Sequence, residues 1–414
     1  MNKTAWGLYF ATLLSSCASH PSDGPAAPIP GASASSADAH VARARKLAGR
    51  DLTQPLVLCK PVPEARDAVL AMSKTDSKTV IPPTKLFDNL FFVGNQFVGV
   101  FVVKTSAGLI LFDSLTSTGE VKAVLEPGLA QLGLDPKQIR DVVVTHGHFD
   151  HFGGAAYLQQ TYGAHILLSL ADWRFIEQEK RSPGVEGGEL PKHDVEVSDG
   201  QVLTLGDTSV TLYLTPGHTP GTVSAIVPAI EQGKTYKLAL FGSVLFPPNK
   251  EPTPANGGLA LYEQSIQHFD TVSSEAKVDG ILNTHTFIDG TAARLELARK
   301  RQPGAPNPFL IGTQSAHRYH EILHECVAAA LARADQPIDR VLERARQAMT
   351  VLRHGDQQRI GASHRAPQLE DRTRCVFVAV ARQIRIEVRQ IPQAVVQLDL
   401  HAIGRLRRRE LEQR

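Results

Sequence analysis

The residues best equipped for chemistry stand together at His146-Gly147-His148-Phe149-Asp150-His151, directly after the apolar run Val142-Val143-Val144-Thr145. Three imidazoles and one carboxylate within six positions are more than a solvated polar turn needs, and they are what a metal centre asks for. Side chains two apart in an extended segment point the same way, so His146 and His148 are placed to grip one ion. Asp150 and His151 lie where the chain turns toward a helix after Gly153-Gly154, aimed at a second ion, with the two glycines letting the backbone pass close to the metals. Nitrogen and oxygen donors of this kind suit zinc, at about 2.0 to 2.2 Å.

Two more histidines complete the pattern. His218 sits in the turn Thr215-Pro216-Gly217-His218-Thr219-Pro220-Gly221, where proline and glycine restrict the loop. It would bring the first ion to three histidines and leave a fourth position open, the mark of a catalytic zinc. His285 follows the apolar run Gly280-Ile281-Leu282 and would join Asp150 and His151 on the second ion. Asp113, after the run ending at Phe112, either accepts from the far nitrogen of a ligand histidine or caps the segment that begins at Ser114. His165, His193, His268, His317, His320 and His324 read as surface or packing residues.

These ligands need strands to carry them. Apolar, β-branched runs at 90–93, 97–103 and 109–112, separated by Gly, Asn and Ser, predict consecutive antiparallel strands. A helix around 119–132, a strand at 142–144, a helix over 154–162 and a strand at 166–168 follow. Strands recur at 202–205, 210–214, 223–227 and 238–241, and helical patterns near 261–272, 291–300 and 315–334 close the region. Strands first and then strand and helix in alternation, twice over, predict an α/β protein, a four-layer αβ/βα sandwich. Two Gly- and Pro-rich stretches, 182–191 and 247–258, read as loops over an active site.

With 414 residues the chain can bury a large core. Its net charge of +2 argues against nucleic acid as a partner, since a phosphate-tracking surface shows as a basic excess. The partner expected is a small-molecule substrate, and the oligomeric state stays open. Residues 51–334 read as the catalytic domain. Beyond them, 335–414 holds sixteen arginines and no lysine, unlike the chain before it. It reads as a poorly ordered basic appendage or the product of a shifted reading frame, and its acidic residues argue against a nucleic-acid or membrane patch. Cys59 and Cys326 are free to bridge in an oxidising compartment or to stay buried thiols.

The N-terminus has Lys3, an apolar run over 5–14 too short to span a bilayer, and then Leu14-Ser15-Ser16-Cys17. That tetrapeptide resembles the cleavage box of bacterial lipoproteins, the alternative being a plain cleaved signal. The resemblance implies a signal peptide over 1–17 and a lipid anchor at Cys17 as the chain's one membrane contact. With Ala18 next, it also implies an exported, periplasmic chain held at the outer membrane. Residues 18–50, rich in Ala, Ser and Pro toward the start, are expected to be a disordered tether.

The His-x-His-x-Asp-His segment at 146–151 resembles the hallmark of the metallo-β-lactamase superfamily, a likeness extending over about residues 85 to 330. It implies the αβ/βα sandwich, two Zn2+ at its edge and hydrolysis by an attacking water shared between them, with Asp150 orienting that water. Lactonase-, glyoxalase- and nuclease-like members carry a bridging aspartate where this chain has Gly242-Ser243. A serine at 243 with three first-site histidines looks like the third β-lactamase subclass, as does the pattern from Asn307-Pro308-Phe309 to Cys326. That likeness implies β-lactam amide hydrolysis with Ser243 as a substrate contact. A second serine of that subclass is replaced here by Leu245, with only Lys250 nearby to substitute, which weighs against efficient β-lactam turnover. The competing readings are an ester, lactone or other amide hydrolase and a non-catalytic zinc-binding envelope lipoprotein.

Overall fold

In the computed structural model, which describes residues 36–65, 67–68, 79–179 and 189–334, the apolar runs become two mixed sheets. The seven-stranded sheet runs β1 (Val80–Lys85), β2 (Leu90–Asn95), β3 (Gly99–Thr105), β4 (Gly108–Phe112), β5 (Ile139–Val143), β6 (His165–Ser169) and β7 (Val195–Val197). Its strands are antiparallel as far as β4 and parallel from β4 to β7. The five-stranded sheet has the order β12 (Gly280–Leu282), β11 (Lys234–Leu240), β10 (Val223–Glu231), β9 (Thr208–Leu214) and β8 (Gln201–Leu205), with only β11 and β12 parallel.

Three apolar layers hold the sandwich together. Phe92, Phe101, Phe112 and Val143 of the first sheet meet Val210, Leu212, Val223 and Leu240 of the second. The alternate residues Val93, Val100, Val102 and Val142 face the other way, against Leu158 and Trp173 of the helices outside. On the far side, Ile226, Ala239 and Phe241 pack on Tyr262, Phe269 and Ile322. Both faces of the central strands are thus buried, which is why their sequences are continuously apolar rather than alternating. This is the predicted four-layer αβ/βα sandwich, with two sheets face to face and helices on both outer sides.

The helices are α1 (Ser36–Ala48), α2 over residues 118–131, α3 (Phe149–Phe152), α4 (Ala155–Tyr162), α5 (Leu170–Glu179), α6 (Gly258–Ala276), α7 (Thr291–Lys300) and α8 (Thr313–Ala334). Among the described residues, no helix is long and apolar enough to cross a membrane. Cys59 and Cys326 form a disulfide that ties the segment after α1 to α8.

The structure departs from the sequence expectations at several places, and helix α5 is an element the sequence pattern did not mark. The end of the expected tether is helix α1, which buries Ala37, Ala44 and Ala48 and reaches Glu325 of α8 through His40 and Arg43. Alanine is the strongest helix former, and docking supplies what so short a helix lacks alone. Strand β1 contains Pro82-Pro83, tolerated because it lies at the sheet edge. Strand β7 has three residues, too few for an alternating pattern to show. The signal segment, the tether up to residue 35, most of the expected 182–191 loop and the tail 335–414 lie outside the described residues.

Candidate metal centre

Strand β5 ends at Val143, and the chain delivers His146 and His148 into the turn that leads to α3. His218 arrives from the turn between β9 and β10, and His285 from the loop after β12. One nitrogen each from His146, His148 and His218 lie within 4.8 Å of one another, and so do the ligand atoms of Asp150, His151 and His285. Nε2 of His218 is 3.0 Å from Nδ1 of His148. Nε2 of His151 is 3.2 Å from Nε2 of His285, and Oδ2 of Asp150 lies 3.4 and 3.6 Å from those two nitrogens. The clusters adjoin, for the rings of His146 and His151 are 3.9 Å apart.

The far ring nitrogens explain why the near ones are free to bind. Nδ1 of His146 is 3.1 Å from the Gly242 carbonyl, Nδ1 of His218 is 2.9 Å from that of Leu245, and Nδ1 of His285 is 3.1 Å from that of Phe97. A carbonyl only accepts, so each Nδ1 carries the proton and donates, leaving Nε2 with a lone pair. Nδ1 of His151 donates to Asp113 at 2.6 Å, and Asp113 also accepts the Thr145 N–H at 2.7 Å. The acceptor role weighed for Asp113 is thus the one its side chain adopts toward a candidate ligand histidine.

Local sequence builds these supports. The Asn95 amide oxygen accepts the N–H groups of Phe97 and Val98, both at 2.8 Å, and so shapes the β2–β3 turn that presents the Phe97 carbonyl. Ser243 is 3% exposed, and its Oγ accepts the Leu245 N–H at 3.3 Å. Expected to meet substrate, it shapes the turn whose Gly242 and Leu245 carbonyls orient two histidines. Gly153 and Gly154 serve a close approach different from the expected one: a Cβ at either would collide with backbone of the Ser114–Thr116 segment, not with the metal ligands.

The electrostatics match a cation pair. Burial pushes the imidazoles of His146, His218 and His285 down, and neighbouring histidines push further, so these rings are neutral near pH 7. Burial also lowers His151, but Asp150 and Asp113 outweigh it and raise it to about 10. Burial alone would lift Asp150; His151 outweighs that and holds the carboxyl below the ordinary carboxylate range. Two carboxylates converging on one buried imidazole favour added positive charge there. Nε2 of His146 is buried with no hydrogen-bond partner, a state costing about 1 to 3 kcal/mol unless another group engages it. The unprotonated Nε2 atoms of His146, His218 and His285, one of them an orphan, and the two carboxylates at His151 fit a site for metal cations.

Residues 93–229 match the model of the metallo-beta-lactamase superfamily. This stretch is a metallo-β-lactamase superfamily domain. It holds every candidate ligand except His285. The chain is also similar to the crystal structure of BJP-1, a subclass B3 metallo-β-lactamase of Bradyrhizobium japonicum, at 26% identity and a TM-score of 0.52, covering 67% of this chain and 99% of that one. It resembles the native FEZ-1 metallo-β-lactamase from Legionella gormanii in fold, at 22% identity and a TM-score of 0.53, over 62% of this chain and 97% of that one. A hydroxyacylglutathione hydrolase of Rhodopseudomonas palustris (strain BisA53) is 31% identical over 114 residues, 27% of this chain and 39% of that protein. The uncharacterised protein YobT of Bacillus subtilis (strain 168) is 31% identical over 136 residues, 31% of this chain and 55% of that protein. The chain therefore spans about half or less of the length of the curated relatives it matches.

Sequence reasoning passed over Asp172. No short pattern marks it, being a lone acid in the first turn of α5, yet it is fully buried.

Proposed function

We propose that the chain is a two-zinc hydrolase that opens the amide bond of a β-lactam, with His146, His148 and His218 holding one ion and Asp150, His151 and His285 the other. The observation that carries this reading is the pair of adjoining ligand sets, one of three histidines and one of Asp-His-His, in a chain that aligns with nearly the whole of a subclass B3 enzyme.

When bound, the ions would polarise the scissile carbonyl and lower the pKa of water toward neutrality. The chain's own groups do the rest. Hydrolysis breaks the C–N bond, adds a hydroxyl to the carbonyl carbon and delivers a proton to the departing nitrogen. Asp150, ionised and 8% exposed, orients the attacking water by accepting its hydrogen bond, and the proton that water loses is the one the departing nitrogen gains. Asp113 fixes the ring of His151, and Phe149, 50% exposed beside His148, offers apolar surface to a substrate. Export and a lipid anchor at Cys17 belong to the same reading, and the Cys59–Cys326 disulfide supports an oxidising compartment.

A second reading is thioester, ester or lactone hydrolysis, favoured by the hydroxyacylglutathione hydrolases among the relatives. Purified protein with Zn2+ should turn over nitrocefin and a carbapenem faster than thioester and lactone panels. The reverse ranking would replace the first reading with the second. Bound metal with no acyl hydrolysis at all would leave a zinc-binding envelope protein.

A further inference from the structure

Three hydrogen bonds to one carboxylate link the two loops that supply the all-histidine cluster. Oδ2 of Asp172 accepts the Gly147 N–H at 2.8 Å and the Thr219 hydroxyl at 2.6 Å, while Oδ1 accepts the Gly221 N–H at 2.7 Å. Gly147 lies between His146 and His148, and Thr219 follows His218. We infer that Asp172 is a positioning residue that fixes the spacing between the His146–His148 turn and the His218 loop, and with it the metal affinity of that cluster; this rests on the metal reading above.

Packing points the same way. A Cβ on Gly147 would come 2.7 Å from Phe175 and 2.9 Å from Ile176, so α5 lies directly on the first ligand turn. A Cβ on Gly221 would meet Ser169 and come 2.8 Å from the Asp172 backbone nitrogen, so the start of α5 lies on the second as well. The Ser169 hydroxyl accepts the Asp172 N–H at 3.1 Å, as a helix-capping serine does three residues on. That leaves the Asp172 side chain turned to the loops instead of back to its own helix start. All three of its donors are neutral, so a fully buried negative charge is held by hydrogen bonds alone. Desolvating a carboxylate is unfavourable, and a purely packing position has no reason to bear it.

The deciding experiment is Co2+ and Zn2+ titration of the full chain and of two variants. Asp172→Asn keeps the shape but puts an NH2 where at least one donor must be accepted. Thr219→Val removes one donor and leaves both backbone bonds. The expected result is a loss of about 10- to 100-fold in affinity at one of two sites in Asp172→Asn, a smaller loss at that site in Thr219→Val, and an unchanged second site. A general structural defect would weaken both sites together and would overturn the inference. Two wild-type sites with both affinities unchanged in the variants would overturn it while sparing the metal reading. A wild-type chain that takes up neither ion would remove the metal reading and this inference with it.

Discussion

The carboxylate of Asp113 lies 2.6 Å from Nδ1 of His151, with both side chains fully buried. The same carboxylate accepts the Thr145 N–H and hydroxyl, so it joins the end of β4 to the start of the ligand turn and to the second cluster at once. Its backbone is left-handed, φ 69°, as is that of Leu115 at 63°. Such conformations cost about 1 to 3 kcal/mol for residues with side chains and persist where the surroundings fix them.

Replacing Asp113 by Asn leaves one acceptor for donors that now share two oxygens. Catalytic turnover and metal affinity at the Asp150-His151-His285 cluster should each fall about 10- to 100-fold, while the all-histidine cluster keeps its ion. Metal analysis after dialysis against a buffered chelator, alongside steady-state kinetics, separates the two effects.

The clusters should be separable by single ligand removals. His218→Ala is expected to empty one site and His285→Ala the other, each lowering bound zinc by about one equivalent per chain. If either variant retained the full wild-type metal content, that histidine would be no ligand.

The Cys59–Cys326 bridge closes a loop of 267 residues in sequence. Converting both cysteines to serine should lower stability by about 2 to 5 kcal/mol in urea unfolding. Metal uptake should survive, because the bridge joins the helical layer around α8 rather than the ligand loops.

Between α6 and α8, His317 meets Asp270 at 2.8 Å. The bond to Asp270 raises His317 from its ordinary 6.5. Burial would raise Asp270, but bonds from His320 and His317 outweigh it and lower it from 3.8. A raised histidine stabilises the fold below its ordinary value and stops doing so as pH rises through its folded value. A lowered aspartate stabilises above its ordinary value and stops as pH falls through its folded value. The pair thus contributes most between pH 3.8 and 6.5. Wild type should exceed His317→Gln in stability at pH 6 and lose that margin by pH 9, by less than about 1 kcal/mol for so exposed a pair. Denaturant unfolding at the two values measures it; an equal margin at both would sink the assignment.

Lipid attachment is testable directly. Cys17→Ser should move the protein from the membrane fraction of a Gram-negative host to the soluble periplasm and abolish labelling by a radioactive fatty acid.

The sequence made the candidate ligands legible because four of them crowd one turn after an apolar strand, a pattern that needs no tertiary knowledge. His218 and His285 were readable only through the proline, glycine and apolar residues before them. Asp172, Gly242, Leu245 and Phe97 were not readable, since what they contribute is a lone buried acid and three carbonyls whose partners lie far off in the chain. The core strands showed in their Val, Leu and Phe runs. Helix α1 did not, because its small apolar face acquires meaning only against α8.

Three of the four histidines with an assigned orientation rest on peptide oxygens, those of Gly242, Leu245 and Phe97. A point mutation cannot delete a main-chain oxygen, so drift at those three positions can alter the shape and polarity of the rim without loosening the rings behind it. Among these four, His151 alone has its Nδ1 held by a carboxylate, which makes Asp113, like Asp172 behind the histidine loops, a place where a point mutation reaches the centre. Under the proposed function, a centre built this way lets its substrate change while its chemistry is kept.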